Sequence, residues 1–309
     1  MILKVLVTSN SFGKYSKEPI EKLKKAGFEV VFNPYHRMMN EEEFIEQLQD
    51  VDAVILSTEK VTKKVIDSSK QLKMISRYGV GLDNIDLEYC REKNIPVTVT
   101  KGANSNAVAE FAVTLILSAC KGIGSSLYCA KKDEWKKFNG IDLANKTVGV
   151  IGLGAIGKTV VKRLQGFDVK VLAYDVFYDE EFIEKYDIKK ASIEEITQNA
   201  DIITLHAPAV DQKPLLNKER FEDMKDGVVI VNTARASLID YEELIRNIEN
   251  KKVFAAALDV HQNEPEYDKR LIKYENVILT PHNAAITKEA TDKTSMMAVD
   301  NILRHFGKE

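Results

Sequence analysis

The sequence predicts an α/β protein made of two units, each a parallel sheet with helices on both faces. Three observations carry that reading. Short, continuous apolar runs alternate with polar–apolar periodic stretches along the whole chain, and strands that are apolar throughout are the kind buried on both faces of a parallel sheet. The runs form two series, separated by a long, mostly apolar segment at 107–119. The chain has 309 residues, enough for about two domains.

In the first series the runs at 3–8, 30–32, 53–56, 72–76 and 97–100 read as strands, and the stretches at 41–49 and 63–69 as helices. The segment 107–119 reads as the connecting helix. In the second series the runs at 147–151, 169–174, 202–205, 228–232, 254–259 and 277–279 read as six strands, the number a dinucleotide-binding sheet requires. A last helix is expected at 288–306, packing back on the first unit. The division predicted is therefore 1–100 plus 285–309, and 101–284.

Composition excludes several classes. Lys+Arg 44 against Asp+Glu 47 gives a net charge of −3, with no basic excess for nucleic acid or an anionic membrane. The longest apolar stretch, at 111–120, is too short to span a bilayer. The opening MILKVLVTSN lacks the features of a signal peptide. Cys90, Cys120 and Cys129 are odd in number and lack CxxC spacing, which predicts reduced thiols in a cytoplasmic protein and no metal site.

The strongest motif is Gly152-Leu153-Gly154-Ala155-Ile156-Gly157, between the strand at 147–151 and an amphipathic helix reaching about 165. Gly152 permits the tight turn, Gly154 lets the backbone approach a pyrophosphate, and Gly157 lets helix and strand pack closely. The helix N-terminus offers N–H groups to the phosphates. Asp175 lies 18 residues past Gly157 at the end of the next strand, where a carboxylate binds ribose hydroxyls and repels a 2′-phosphate. NAD is the cofactor predicted. A P-loop also matches literally, with Lys158 on phosphate and Thr159 on magnesium. The additional glycine and Asp175 favour the dinucleotide.

Three polar residues follow later strands: Arg235 in NTARAS, Glu264 in DVHQNEP and His282 in LTPHNAA. Arg binds a carboxylate and polarises a carbonyl, His moves a proton, and Glu orients and charges the imidazole. His206 ends the run at 202–205 in HAP and is expected to line the cofactor site. His36, His261 and His305 have no acidic strand-end partner in an obvious motif and receive no role.

With RYGVGLDNID (77–86), GANSNAVAE (102–110), TVGVIGLGAIG (147–157), HAP (206–208), VNTARASLID (231–240), LDVHQNEP (258–265) and TPHNAA (280–285), the chain resembles the D-2-hydroxyacid dehydrogenase family, on its phosphoglycerate dehydrogenase-like side. The resemblance implies a Rossmann-type doubly wound coenzyme domain and a smaller, discontinuous flavodoxin-like substrate domain. It also implies a short form without a C-terminal regulatory domain. It carries the catalytic roles to Arg235, Glu264 and His282. It places Ala155, Ile156, Ala207, Pro208, Thr233, Ala234, Asp259 and Ala284 at the cofactor, and Arg77, Gly79, Val80 and Asn104 at the substrate, Gly79 and Val80 through their main chain. It implies a small 2-hydroxy or 2-keto acid as substrate and a homodimer through the coenzyme domain, with 122–141 as contact arm. Phosphoglycerate enzymes of the family carry an arginine for the substrate phosphate where Leu56 stands here, with Lys60 close by. Hydroxypyruvate or glyoxylate reduction is therefore the alternative activity. An NAD-sensing corepressor is the alternative of another class.

Overall fold

The computed structural model describes residues 2–209 and 213–308; the expected terminal residues 1 and 309 lie outside the described residues. The chain divides into two compact units, Met1–Asn104 with Ile286–Glu309, and Ser105–Ala285. The break after Asn104 falls where the long helix Ser105–Cys120 begins.

The smaller unit holds β1 (Leu3–Val7), β2 (Phe28–Phe32), β3 (Ala53–Leu56), β4 (Met74–Arg77) and β5 (Val97–Val99), in the order β2-β1-β3-β4-β5. Every pairing is parallel. All four residues of β3 are fully buried, as expected of a central strand covered on both faces. The helix Glu41–Gln47 starts at a capping box in which Asn40 and Glu43 satisfy each other's backbone N–H groups. The helix Lys288–His305 returns to this unit. Its Ala298, Val299, Ile302 and Leu303 pack with Val5, Val7, Leu23 and Met74. Burial of each large aliphatic side chain there contributes roughly 1.5–3 kcal/mol, and that apolar face ties the helix to the sheet. Ser76 Oγ also donates to Ala298 O, and Asn301 Nδ2 to Val99 O.

The larger unit holds β6 (Thr147–Ile151), β7 (Lys170–Tyr174), β8 (Ile188–Lys190), β9 (Ile202–Leu205), β10 (Val228–Asn232), β11 (Val253–Leu258) and β12 (Val277–Leu279). Their order is β12-β11-β10-β9-β6-β7-β8, all parallel. The sheet therefore has one strand more than the six expected. The additional strand, β8, reads Ile-Lys-Lys and buries only Ile188. A short, lysine-bearing edge strand presents no apolar run to detect. The helix Ser105–Cys120 is apolar on most sides because it is buried between the sheet and the helix Ala155–Leu164, sharing one core with Val160, Val161 and Leu164.

No single helix among the described residues is long and apolar enough to cross a membrane. One bent pair, Ser105–Cys120 with Ile123–Lys131, reaches the length and composition only together, across a 71° bend.

Candidate active site

In the larger unit the strand order reverses at β6, whose neighbours are β7 on one side and β9 on the other. Ligands of open α/β sheets bind at the carboxyl ends of the strands beside such a switch point. The carboxyl ends carry, in spatial order, the His282 turn after β12, the Glu264 loop after β11, Arg235 after β10, His206 after β9, the glycine turn after β6 and Asp175 after β7. The six positions scattered over the sequence thus stand in one row.

The glycine turn has a different reason for each glycine. Gly152 has φ +97°, and a Cβ there would lie 2.5 Å from the His206 carbonyl carbon. A Cβ on Gly157 would lie 2.0 Å from Gly152 O, whereas one on Gly154 would meet nothing within 4 Å. The space in front of Gly154 is thus open, and the helix Ala155–Leu164 begins there without a side-chain cap. Open space before an uncapped helix start fits a pyrophosphate. Two substitutions separate these roles. Gly157→Ala is expected to lower stability by about 1–3 kcal/mol through overpacking. Gly154→Ala should leave the melting temperature nearly unchanged and weaken NADH binding. Thermal melts and NADH titration of both variants check this.

Asp175 is held by its backbone surroundings. Leu153 N–H donates to Oδ2 at 2.5 Å and Phe177 N–H to Oδ1 at 3.2 Å. The P-loop reading finds no support here. Lys158 pairs with Asp179 at 2.6 Å, and Thr159 Oγ1 donates to Ala155 O, so neither is directed at the turn.

Around β9 and β10 several polar atoms lack partners. His206 shares a 2.9 Å hydrogen bond with Thr204 through Nε2, while its Nδ1 is buried without a partner, as is Thr233 Oγ1. Burial pushes His206 down to about 4, so its ring is neutral at pH 7. Orphaned buried polar groups are rare, and a polar cofactor edge would satisfy them. Ala207 and Pro208 follow in the same segment, Ala207 partly buried and Pro208 exposed.

Asn232, completely buried at the end of β10, holds the next loop by both ends of its amide. Its Oδ1 accepts from Ala234 N–H, and its Nδ2 donates to Arg235 O. Sequence reasoning passed over Asn232, although it stands in the same NTARAS motif. Arg235 Nη1 donates to Ala234 O at 2.7 Å.

His282 and Glu264 meet as expected. His282 Nδ1 lies 2.9 Å from Glu264 Oε2 and 3.1 Å from Oε1. That contact raises the imidazole pKa above its ordinary value, against ring burial, with Asp259 adding to it and Arg235 opposing it. Burial pushes the Glu264 carboxyl up, but hydrogen bonds from His282 and from the His261 N–H outweigh it and hold it below the usual carboxylate range. The side chains remain 51% and 39% exposed, so water screens the pair. With Nδ1 occupied, Nε2 is the nitrogen left for a reacting group. His282 has φ +53°, a left-handed conformation that a non-glycine residue adopts at some cost.

Asp259 explains how that conformation is held. It is fully buried, and its Oδ1 accepts from Thr280 Oγ1 and Asn283 N–H, its Oδ2 from Ala284 N–H. Asp259 and Ala284, expected at the cofactor, are bonded to each other: the carboxylate anchors the turn that presents His282. The reading of His261 also needs correction. It is buried, its N–H donates to Glu264 Oε1, and its ring bonds Thr280 O. The partner is acidic after all, but the contact runs through the main chain, which no side-chain motif reveals.

In the smaller unit two expectations change. Arg77 Nε donates to Gly81 O, and Nη1 to Leu56 O and Tyr78 O, so these donors brace the loop instead of facing a substrate. Gly79 N–H is taken by Thr100 Oγ1 at 3.0 Å. Val80, 41% exposed, stands beside it. Asn104 Oδ1 is buried without a partner. Leu56 is fully buried, and Lys60 is exposed.

The family sequence model described as "D-isomer specific 2-hydroxyacid dehydrogenase, NAD binding domain" matches residues 113–284. The chain belongs to this family. Its larger unit is thus the family's NAD-binding domain. Among its relatives, a D-3-phosphoglycerate dehydrogenase of Archaeoglobus fulgidus is 39% identical over 306 residues, 97% of this chain and 57% of that one. A hydroxypyruvate reductase of Thermotoga maritima is 37% identical over 87% of this chain and 89% of its own. The chain spans only about half the length of the phosphoglycerate dehydrogenases it matches. In structure it is similar to a glyoxylate reductase from Paecilomyes thermophila, with TM-score 0.85, 28% identity, and 98% and 95% of the two chains covered.

Proposed function

We propose that the protein is an NAD-dependent D-2-hydroxyacid dehydrogenase, on its first reading phosphoglycerate dehydrogenase-like. The observation that carries this is the Glu264–His282 pair, 2.9 Å apart at the sheet edge that also bears Arg235 and the glycine turn. NAD supplies the hydride acceptor or donor. The residues of the chain do the rest. Arg235 binds the substrate carboxylate and polarises the C2 oxygen. His282 gives a proton through Nε2 during reduction and takes it during oxidation. Glu264 stabilises the charged imidazole, and Arg235 with the imidazolium stabilises the alkoxide that develops at C2. His206, neutral at pH 7, does not compete as proton donor. The Gly152–Gly157 main chain takes the pyrophosphate and Asp175 the ribose hydroxyls. The smaller unit is the substrate domain, with the Gly79–Val80 loop as its candidate substrate segment.

A second reading, hydroxypyruvate or glyoxylate reductase, is favoured by one observation. At the end of β3 Leu56 is buried, and the cation that reaches this strand end, Arg77, donates to the carbonyls of Leu56, Tyr78 and Gly81. A panel of 3-phosphohydroxypyruvate, hydroxypyruvate, glyoxylate and pyruvate with NADH and NADPH tests both readings. We expect turnover of at least one acid and preference for NADH, since Asp175 repels a 2′-phosphate. Asp175→Ala should gain on NADPH. No turnover of any acid overturns the activity and leaves the corepressor-type reading. Equal kcat/KM with both cofactors overturns the role of Asp175.

The partner expected is a second copy of the chain. Ile123, Leu127, Tyr128 and Trp135 are 46%, 59%, 39% and 96% exposed within one segment, an apolar surface of the kind that marks an interface. Sedimentation should give a dimer, and Leu127→Asp should weaken it. A wild-type monomer at micromolar concentration rejects the proposal. The three buried, free cysteines support a reducing, cytoplasmic setting.

A further inference from the structure

His261 bonds Glu264 directly and reaches the His282 turn through the Thr280 carbonyl. Its main-chain N–H donates to Glu264 Oε1 at 3.0 Å. Its Nε2 lies 2.8 Å from Thr280 O, and the same carbonyl oxygen accepts the His282 N–H at 2.9 Å. A carbonyl only accepts, so the ring must carry its proton on Nε2. Nδ1 is then a bare acceptor, and it is buried without a partner. The ring is 8% exposed and meets Tyr267 edge-on, with centroids 4.8 Å apart. Thr280 is tied in addition to Asp259 through its hydroxyl.

These contacts connect two loops that leave neighbouring strands, the Glu264 loop after β11 and the His282 turn after β12. Asp259 fixes the turn through Thr280, Asn283 and Ala284. The ties from His261 reach both loops: one goes to the carboxylate itself, the other to the oxygen that holds the His282 backbone. An unpaired buried acceptor is unfavourable for folding. A clamp that needs the Nε2 donor is a function that explains its retention.

We propose that His261 is a positioning residue for the Glu264–His282 pair, a clamp that donates through Nε2–H and sets the distance between carboxylate and imidazole. The proposal rests on the dehydrogenase reading for its catalytic meaning, but its test does not. The charged or titratable groups that bear on His282 are Glu264, Asp259 and Arg235, with His261 behind the Thr280 carbonyl. None of the first three is altered by changing His261.

The experiment is NMR of the full chain with 15N-labelled histidine; there are 5 histidines to assign. His261 should show the Nε2–H tautomer in the wild type. In His261→Phe, which keeps an aromatic ring against Tyr267 but loses the Nε2 donor, the His282 titration midpoint should fall by roughly 0.5–1 unit as the pair loosens. His261→Gln, whose amide N–H can reach Thr280 O, should restore most of it. With the keto acid that is turned over, kcat should follow the midpoint while the KM for NADH stays unchanged. A folded Phe variant with an unmoved His282 midpoint overturns the proposal. So does an Nδ1–H tautomer of His261 in the wild type at pH 7. If the Phe variant does not fold, the tautomer and the Gln variant decide: a Gln variant with the midpoint lowered below wild type shows that the donor does not matter as stated. Failure to reduce any keto acid would reject the dehydrogenase reading and leave the titration legible.

Discussion

Arg235→Ala should lower kcat/KM for the keto acid by about 10³-fold or more, the order seen when a charged or oxyanion-stabilising donor is removed from a reacting carbonyl. The loss should appear in kcat as well as KM, because in the proposed role the guanidinium meets both the carboxylate and the charge developing on the C2 oxygen. Stability should hardly change. The loop is carried by buried Asn232, which bonds Ala234 N–H and Arg235 O, and both contacts survive truncation of the Arg235 side chain. Arg235→Lys should recover little, since an ammonium lacks the planar fork. By contrast, Asn232→Ala should damage kcat and stability together, by leaving the loop N–H and C=O unpaired. Steady-state kinetics and thermal melts of the three variants check this. A near-native kcat/KM for Arg235→Ala, or its outright unfolding, rejects the role.

Glu264→Gln should move the pH dependence of both reaction directions to lower pH. The carboxylate on Nδ1 raises the His282 pKa, so an amide in its place lets it fall. Reduction needs the imidazolium, and its rate declines as pH rises through that pKa. Oxidation needs the neutral ring, and its rate declines as pH falls through it. In the variant, reduction is therefore lost earlier on the alkaline side, and oxidation persists further on the acid side. Partial exposure of both side chains limits the size of the shift. His282→Asn should remove the limb altogether and cost about 10²–10⁴-fold in rate. The measurement is kcat/KM against pH in both directions. Limbs that stay in place, or move to higher pH, exclude Glu264 as the charge partner.

Much of this was legible because it is written locally. The strands β3, β6, β9, β10 and β12 stand at the residues the apolar runs predict, since a strand buried on both faces must be apolar along its length. The glycine turn was legible because close approach of backbone leaves only glycine. The edge strand β8 was not, having a single buried residue. Nor was the loss of Gly79 N–H to Thr100 Oγ1, which joins residues far apart in sequence. RYGVG names the loop, but only the fold shows which of its N–H groups is already spent.

The sequence by itself determined the two α/β units, the dinucleotide-type turn with Asp175, and the chemical types of the proposed reacting groups, Arg235, Glu264 and His282. These follow from periodicity, glycine spacing and side-chain chemistry, properties each residue carries with it. Only the tertiary structure decided how those groups are held. It turned Asp259 into the anchor of the His282 turn, Asn232 into the support of Arg235, and His261 into the link between Glu264 and Thr280. It also drew Lys158 away to Asp179. Hydrogen bonds are satisfied between particular atoms in space. Which partner a buried polar atom finds depends on where the strands of the sheet deliver their loops, and the linear order of residues does not encode that pairing locally.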